Sequence, residues 1–251
     1  MSRSSVPLIL LHGFAQTPQS WQSTIECLPE WLDVHAIELP GHGQTGLSRG
    51  EPTVQLAREI VDEAVDRVAG AAAIWGYSQG ARIAFDYTLH RPDKVTALIA
   101  ESGIPGIEDP IKRANRRSGD YALATRIADG SIEEFVDMWE KLPALGEQSK
   151  STIAAQREDR LRNDPKALSA ALIGIGQSAY EPAWDRLHEI TAPTLLITGG
   201  RDAIYTQHAK RLQKSIPRAK HVVVDAASHA VHMVEPEDAA EAVAAFLADF
   251  A

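Results

Sequence analysis

The sequence predicts an α/β protein with a mostly parallel central sheet, helices on both of its faces and a helical insertion. Short apolar runs alternate with helical patterns in the segments 1–103 and 185–251. Between them, over residues 104–184, helical patterns continue without a convincing strand. A G-x-S-x-G motif at 76–80 directly follows one apolar run and precedes a helical pattern. We therefore expect one core, built from the two outer segments, and a lid formed by residues 104–184.

Each predicted strand is a short apolar run without a helix cap, which is typical of buried parallel strands. The six predicted strands are 6–11, 34–39, 71–75, 95–100, 194–198 and 221–224. Apolar residues at helical spacing predict helices between these strands and after the last one. The principal core helices are predicted from Pro18 onwards and over 54–68, 81–89, 207–215 and 236–250. Pro236 suits the first turn of the last of these helices.

Composition limits the classes of function. The formal net charge of −9 disfavours nucleic acid or an anionic membrane surface as the main partner. No basic region with a long apolar run precedes the first strand, and no apolar run has the length of a membrane span, so we expect a cytoplasmic protein. The single cysteine, Cys27, excludes an intrachain disulfide and a cysteine-based metal cluster. Its apolar helical surroundings predict a buried thiol.

The G-x-S-x-G motif is predicted to form a nucleophile elbow, which requires a strand, a tight turn and a helix in that order. Gly76 and Gly80 leave room for a sharp turn that a Cβ atom would obstruct. Ser78 would lie at the tip of the turn, with its backbone near a helix N-terminus. A motif of this kind standing alone is more often a simple connecting turn. Here the flanking elements and two distant residues favour a nucleophile.

A serine hydroxyl needs a histidine to accept its proton, and the histidine needs an acid to fix its tautomer. His229 follows the final predicted strand, and Asp202 follows the strand at 194–198. Both lie just past the carboxyl end of a strand, where open α/β sheets place their sites. We therefore predict a catalytic triad of Ser78, Asp202 and His229. Glu101 also ends a strand and is the alternative acid.

The oxyanion hole is predicted to combine two backbone N–H groups, those of Gln79 and Phe14. Three histidines are predicted to have structural or supporting roles, with the surface as a further possibility for the last: His12, His42 and His232. A metal site built on His229 and His232 would lack a convincing third ligand. We expect neither a metal nor a cofactor.

The predicted lid carries many cations for its length. Its arginines are Arg113, Arg116, Arg117, Arg126, Arg157, Arg160 and Arg162. Most surface arginines are solvated or paired with acids, and that interpretation stays open for each of them. A cluster that faces a closed pocket would instead bind carboxylates through bidentate hydrogen bonds. In that case the substrate would be a small, anionic molecule.

The whole chain resembles the α/β-hydrolase superfamily. The motifs that carry the resemblance are His-Gly-Phe at 12–14, Leu-Pro-Gly-His-Gly at 39–43, the elbow, Gly-Arg-Asp at 200–202 and Ser-His at 228–229. The chain order serine, aspartate, histidine is the one expected for this superfamily. The resemblance implies the α/β-hydrolase fold and a catalytic triad, and it says little about the substrate.

A narrower similarity is to the 2-succinyl-6-hydroxy-2,4-cyclohexadiene-1-carboxylate synthases of menaquinone biosynthesis. The segments that carry it are 76–82, 101–107, 135–143, 161–168 and 174–177. This resemblance implies a carbon–oxygen lyase, whose triad acts as a base and eliminates pyruvate from a cyclohexene polycarboxylate held by arginines. The substrate-binding residues that it implies are Tyr77, Arg82, Arg116, Trp139 and Arg162.

Arg82 lies one helical turn after Ser78, where a general esterase has no need of a cation. A salt bridge to a neighbouring acid is the simpler interpretation of Arg82. The sequence departs from the family at Ala81, where a second glycine is common. It departs again at 203–205, where Tyr205 is the only kept member of the usual lysine–aromatic pair.

Two other functions stay open. The first is a serine hydrolase that cleaves esters, lactones or carbon–carbon bonds through an acyl-enzyme on Ser78. The second is a ligand receptor without catalysis, against which an intact triad argues. For each of these functions we expect a monomer or a homodimer.

Overall fold

The structure is a computed structural model that describes residues 5–142 and 148–249. The predicted end of the last helix at residue 250, and residue 143 of the segment 135–143, lie outside the described residues.

Six strands form one parallel sheet in the order β2-β1-β3-β4-β5-β6. The strands are β1 (Val6–Leu11), β2 (Leu32–Ile37), β3 (Ala72–Tyr77), β4 (Val95–Glu101), β5 (Thr194–Gly199) and β6 (Ala219–Val224). The central strands β3, β4 and β5 are buried almost throughout. Purely parallel sheets are covered on both faces, and these continuous apolar strands fit that arrangement.

Helices cover both faces of the sheet. In the core they are α1 (Gln22–Cys27), α2 (Val54–Val68), α3 (Gln79–His90), α8 (Ala203–Ser215), α9 (Val231–Val234) and α10 (Pro236–Ala248). Alternate strand residues point to opposite faces, so Ile9 packs with α2 and α3, whereas Leu10 packs with α10. The amphipathic patterns of the helices therefore become two apolar layers.

Between β4 and β5 the chain forms α4 (Pro110–Asp129), α5 (Ile132–Trp139), α6 (Lys150–Arg160) and α7 (Pro165–Ile175), and the described part of this segment contains no strand. Its apolar residues form a third cluster, which includes Phe135 and Leu168 and reaches Ala15 in the core. The two ends of the segment are bonded together. The Ala183 N–H donates to the Pro105 carbonyl over 2.9 Å.

The second strand begins and ends two residues earlier than the predicted 34–39. The chain leaves the sheet after Ile37 because the Glu38 carboxylate accepts the N–H groups of Gln44 and Thr45 and so closes the next turn. The prediction of a buried Cys27 is wrong. Cys27 ends α1 on its exposed side.

Among the described residues, no helix is both long enough and apolar enough to cross a membrane.

Candidate active site

The elbow brings the Ser78 hydroxyl to the carboxyl edge of the sheet. Ser78 stands between β3 and α3 with φ of +51°, a conformation that costs an L-residue about 1 kcal/mol or more. A Cβ atom on Gly76 would lie 2.3 Å from the Gly80 carbonyl oxygen, and one on Gly80 would lie 2.1 Å from that of Leu11. The backbone contacts at both glycines explain why this turn needs them.

The structure brings Ser78, His229 and Asp202 into one hydrogen-bonded row. The His229 Nε2 lies 3.2 Å from the Ser78 Oγ, and its Nδ1 lies 2.6 Å from the Asp202 Oδ2. With Nδ1–H donating to the carboxylate, Nε2 is left to accept the serine proton. The side chains of His229 and Asp202 are 13% and 12% exposed, so the row is sheltered yet reachable.

Asp202 and His229 meet because the loops after β5 and β6 are packed together. A Cβ atom on Gly199, at the end of β5, would lie 2.1 Å from the Ser228 carbonyl oxygen. The Arg201 N–H donates to the Ala227 carbonyl over 3.1 Å. Asp202 also caps α8, because its Oδ1 accepts the Tyr205 N–H over 3.2 Å. The same residue thus ends a loop, starts a helix and orients the histidine.

Phe14, on the loop after β1, lines the same cavity as Ser78. Gln79 begins α3, and the N–H groups of a first helical turn have no carbonyl partner within the helix. The His12 Nε2 accepts the Leu39 N–H over 3.0 Å, and its Nδ1 lies 2.8 Å from the Gly13 carbonyl oxygen. Burial, with a smaller contribution from His42, lowers the pKa of His12 well below its usual value. A neutral His12 therefore braces this loop.

Glu101, the alternative acid, is bonded to a different histidine. Its Oε1 accepts both the His232 Nδ1–H, over 2.8 Å, and the His232 backbone N–H, over 3.1 Å. Its Oε2 accepts the Trp75 indole N–H over 3.2 Å. Both members of the Glu101–His232 pair are fully buried, so His232 does not lie on the surface. The His232 ring stacks on Trp21 with 4.0 Å between ring centroids.

A pocket of about 230 Å³ opens in front of Ser78 and His229. Tyr77 and Trp139, which were predicted to bind substrate, line it together with Phe14 and Gln79, the predicted oxyanion donors. Its charged lining residues are the arginines Arg82, Arg116 and Arg160. No Asp or Glu is among the described residues that line it. Such a pocket favours an anionic ligand with more than one carboxylate.

Arg82 lines the pocket, is buried and has no carboxylate partner among the described residues. It is 6% exposed, its guanidinium lies 5.8 Å from the centre of the Tyr180 ring, and its Nη1 approaches the Ser78 carbonyl at 3.5 Å. Burial lowers the pKa of Arg82, and its buried Nε has no hydrogen-bond acceptor within the described ranges 5–142 and 148–249. A salt bridge therefore does not account for Arg82, and a ligand carboxylate would satisfy it.

Arg162, which was predicted to bind substrate, lies outside this pocket. It bonds Glu158 over 3.0 Å, and its side chain is 45% exposed. Arg160 reaches the pocket instead; it is 2% exposed, and burial lowers its pKa. Arg160 is the last residue of α6, whereas Arg162 lies beyond the C-cap Leu161 and does not follow the helical spacing. Arg116 lines the pocket and bonds Asp120 over 2.7 Å.

Tyr205 also lines the pocket, although the sequence marked it only as an aromatic residue kept from the family. Its ring lies 4.6 Å from that of His229. Trp139 closes the other wall, 5.3 Å from the Phe14 ring. The position of Tyr205, three residues after the predicted acid and in the first turn of a helix, is the signal that would have identified it.

Comparisons with known proteins agree with this geometry. The sequence profile of the alpha/beta hydrolase family matches residues 8–246. A Bacillus subtilis protein named putative 2-succinyl-6-hydroxy-2,4-cyclohexadiene-1-carboxylate synthase is 31% identical over 97% of this chain and 91% of its own length. A Vibrio campbellii pimeloyl-[acyl-carrier protein] methyl ester esterase is 26% identical over 92% and 90%. The structure of MenH from S. aureus matches with a TM-score of 0.94 and 30% identity, covering 99% of this chain and 95% of that one.

Proposed function

Because this chain belongs to the alpha/beta hydrolase family, as its sequence predicted, we propose that it uses the Ser78–His229–Asp202 triad as a lyase rather than as a hydrolase. The proposed activity is that of a 2-succinyl-6-hydroxy-2,4-cyclohexadiene-1-carboxylate synthase in menaquinone biosynthesis. The relatives with matching names support it. The single observation that carries the proposal is a pocket directly in front of the serine that three arginines line, with no carboxylate among its described lining residues.

In the proposed reaction the triad moves one proton. His229 accepts the Ser78 proton, which leaves the serine oxygen as a base towards a substrate carbon. The electron pair of that carbon–hydrogen bond forms a new carbon–carbon double bond as the carbon–oxygen bond to the leaving group breaks. The leaving group departs as the enolate of pyruvate, which takes up a proton on carbon and becomes pyruvate. The N–H groups of Phe14 and Gln79 would stabilise the negative charge that develops on a substrate oxygen. Asp202 keeps the proton of His229 on Nδ1 and stabilises the imidazolium.

The arginines would hold the substrate carboxylates at fixed positions. Arg82 and Arg160 are buried, so a carboxylate that binds them leaves water for two desolvated cations. Arg116, already bonded to Asp120, would contribute a weaker contact from the rim. Tyr77 and Trp139 would enclose the apolar ring of the substrate. We propose that residues 104–184 act as the lid over this site.

The direct test is pyruvate release. Purified protein is mixed with the cyclohexene polycarboxylate that is the precursor of the cyclohexadiene product. The pyruvate released is measured in an assay coupled to lactate dehydrogenase. We expect release above the uncatalysed rate, and none from Ser78→Ala. Arg82→Met should raise the KM for this substrate at least tenfold, because a buried guanidinium–carboxylate contact is lost. Arg162→Met is the matched control and should leave KM unchanged. A wild-type protein that releases no pyruvate would overturn the proposal.

A serine hydrolase is the second candidate, and it is the class named for the Vibrio campbellii relative. A hydrolase would form an acyl-enzyme on Ser78, which mass spectrometry detects during turnover of a small aryl ester. Fast turnover with an acyl adduct, together with no pyruvate release, would support this candidate. A receptor without catalysis would not need the 3.2 Å approach of His229 to Ser78.

We propose a cytoplasmic location and a small anionic substrate, with the chain acting as a monomer or a homodimer. The net charge of −9 makes a nucleic acid an improbable partner by charge repulsion.

A further inference from the structure

The C-terminal turn of α6 is hydrogen-bonded to the loop that carries Phe14. The Asp159 Oδ2 accepts the Thr17 backbone N–H over 3.0 Å, and the Asp159 Oδ1 accepts the Thr17 hydroxyl. Both oxygens of one carboxylate therefore bind a single core residue. Asp159 is 4% exposed, and no Lys or Arg of the described residues forms a salt bridge with it.

Asn163 makes a second connection from the same turn. Its Nδ2 donates to the Ala15 carbonyl over 3.1 Å, and its Oδ1 accepts the Gly43 N–H over 3.0 Å. Ala15 has φ of +61°, a left-handed conformation that a residue with a Cβ atom adopts only when its surroundings hold it there. Ala15 directly follows Phe14, so Asn163 constrains the backbone next to the predicted oxyanion donor.

Arg160 lies between these two residues in the chain and reaches into the pocket. We propose that Asp159 and Asn163 form a latch, which positions Arg160 and the Phe14 N–H together. They are positioning residues and do not touch the substrate. The part of the proposal that concerns Arg160 rests on the proposed function, whereas the part that concerns the Phe14 N–H rests only on the triad and its oxyanion hole.

The chemistry of Asp159 separates a latch from ordinary packing. A buried carboxylate without an ion pair costs stability, and burial raises the pKa of Asp159. A buried apolar residue could pack α6 against the core at lower cost. The carboxylate instead binds both the backbone N–H and the hydroxyl of Thr17. Hydrogen bonds are directional, so they fix the orientation of α6 relative to this loop as well as its distance.

The first experiment does not depend on the lyase activity. A neutral p-nitrophenyl phosphonate reacts with Ser78, and the phosphonyl oxygen occupies the oxyanion hole, so the rate reports on the Phe14 N–H. Thr17→Val removes the hydroxyl donor, Thr17→Ser keeps it, and Asp159→Ala removes the acceptor. We expect Thr17→Val and Asp159→Ala to slow phosphonylation by roughly tenfold, about a tenth of the effect of losing a whole oxyanion donor. Thr17→Ser should restore the wild-type rate.

The second readout is the KM for the cyclohexadiene precursor, which should rise in Asp159→Ala because Arg160 loses its position. The control is Arg162→Ala, because Arg162 is close in the chain to Asp159 but exposed. This variant should change neither the phosphonylation rate nor the KM. Circular dichroism identifies the folded variants. Folded Thr17→Val and Asp159→Ala proteins that phosphonylate at the wild-type rate would overturn the latch. Slowed phosphonylation in a protein that releases no pyruvate would keep the latch and refute the lyase.

Discussion

Two histidine–carboxylate pairs stand side by side in this protein, and only one of them faces the pocket. His229 bonds Asp202 over 2.6 Å, and His232, three residues later, bonds Glu101 over 2.8 Å. In both pairs Nδ1 meets the carboxylate. The Nε2 of His229 faces Ser78. The Nε2 of His232 is buried against aromatic rings and has no hydrogen-bond partner in the part of the chain that the structure describes.

The pairs differ in what surrounds them. Asp202 and His229 retain some exposure, and Glu101 and His232 have none. Glu101 also connects the nucleophile with the loop of the base, because its carbonyl accepts the Ser78 N–H over 2.9 Å while its carboxylate binds the His232 N–H. The comparison teaches that the chemistry depends on where Nε2 points. The buried pair holds the loop that carries His229 in position next to Ser78.

The largest expected effect is on the pair that faces the pocket. His229→Ala should lower turnover by roughly 10⁴-fold or more, because Ser78 loses its proton acceptor. Pyruvate release or ester turnover measures this loss. The melting temperature serves as the control for folding of this variant. A loss below tenfold would remove His229 from the mechanism.

Asp202→Asn should lower turnover by roughly 10²–10⁴-fold, because an amide no longer fixes the proton on Nδ1. The loss should appear in kcat, with KM nearly unchanged. Glu101→Gln, the matched change in the buried pair, serves as the control. If both variants lose turnover equally, the division of labour between the two pairs is refuted.

His42 differs from both pairs, because its Nδ1 lies next to the Pro40 carbonyl and not next to a carboxylate. Burial lowers the pKa of His42 to about 4, whereas it is about 6.5 in the unfolded chain. The unfolded state therefore binds the extra proton between these values, so stability falls as the pH drops from 6.5 to 4, by up to about 3 kcal/mol. His42→Gln should flatten the dependence of the melting temperature on pH in this window. An unchanged slope would contradict this assignment.

The smallest effect on turnover is expected from the buried pair. Glu101→Gln should reduce the free energy of unfolding by about 1–3 kcal/mol, because one of its polar neighbours loses its acceptor. Turnover should fall less than tenfold. Trp75→Phe removes only the bond to Oε2 and leaves the two bonds to His232. A larger loss of turnover in Trp75→Phe than in Glu101→Gln would show that Oε1 does not hold the loop.

The fold was predictable because its signals are local. The parallel strands are continuous apolar runs, and the elbow has its glycines, strand and helix within a short stretch. The loops of Asp202 and His229 could be placed because both follow strands. Residues whose role depends on where a helix ends or on long-range packing could not be predicted. The prediction therefore named Arg162 as a pocket residue, whereas Arg160 lines the pocket.

The long-range partners of buried polar groups left no pattern in the chain. Glu101 and His232 are 131 residues apart in sequence, and Thr17 and Asp159 are 142 apart. Neither pair has a spacing that an element imposes, since tertiary packing alone brings them together. The prediction for Cys27 was wrong because its local pattern was misleading. Its apolar neighbours indicate a buried stripe, but the residue lies at the other edge of a short helix.

The bond between Pro105 and Ala183 has a consequence for how such proteins diversify. The Trp184 indole N–H donates a second bond nearby, to the Gly106 carbonyl over 2.9 Å. Together the two bonds join the ends of the helical segment, so it leaves and rejoins the core at one point. β4 and β5 pair directly with each other, so their register does not depend on the length of what lies between. Exchange of the insert would therefore leave the β4–β5 register in place, but it would remove the bonds of Asp159 and Asn163 to the loop of Phe14. Recombination at this junction would carry new substrate contacts onto an unaltered triad.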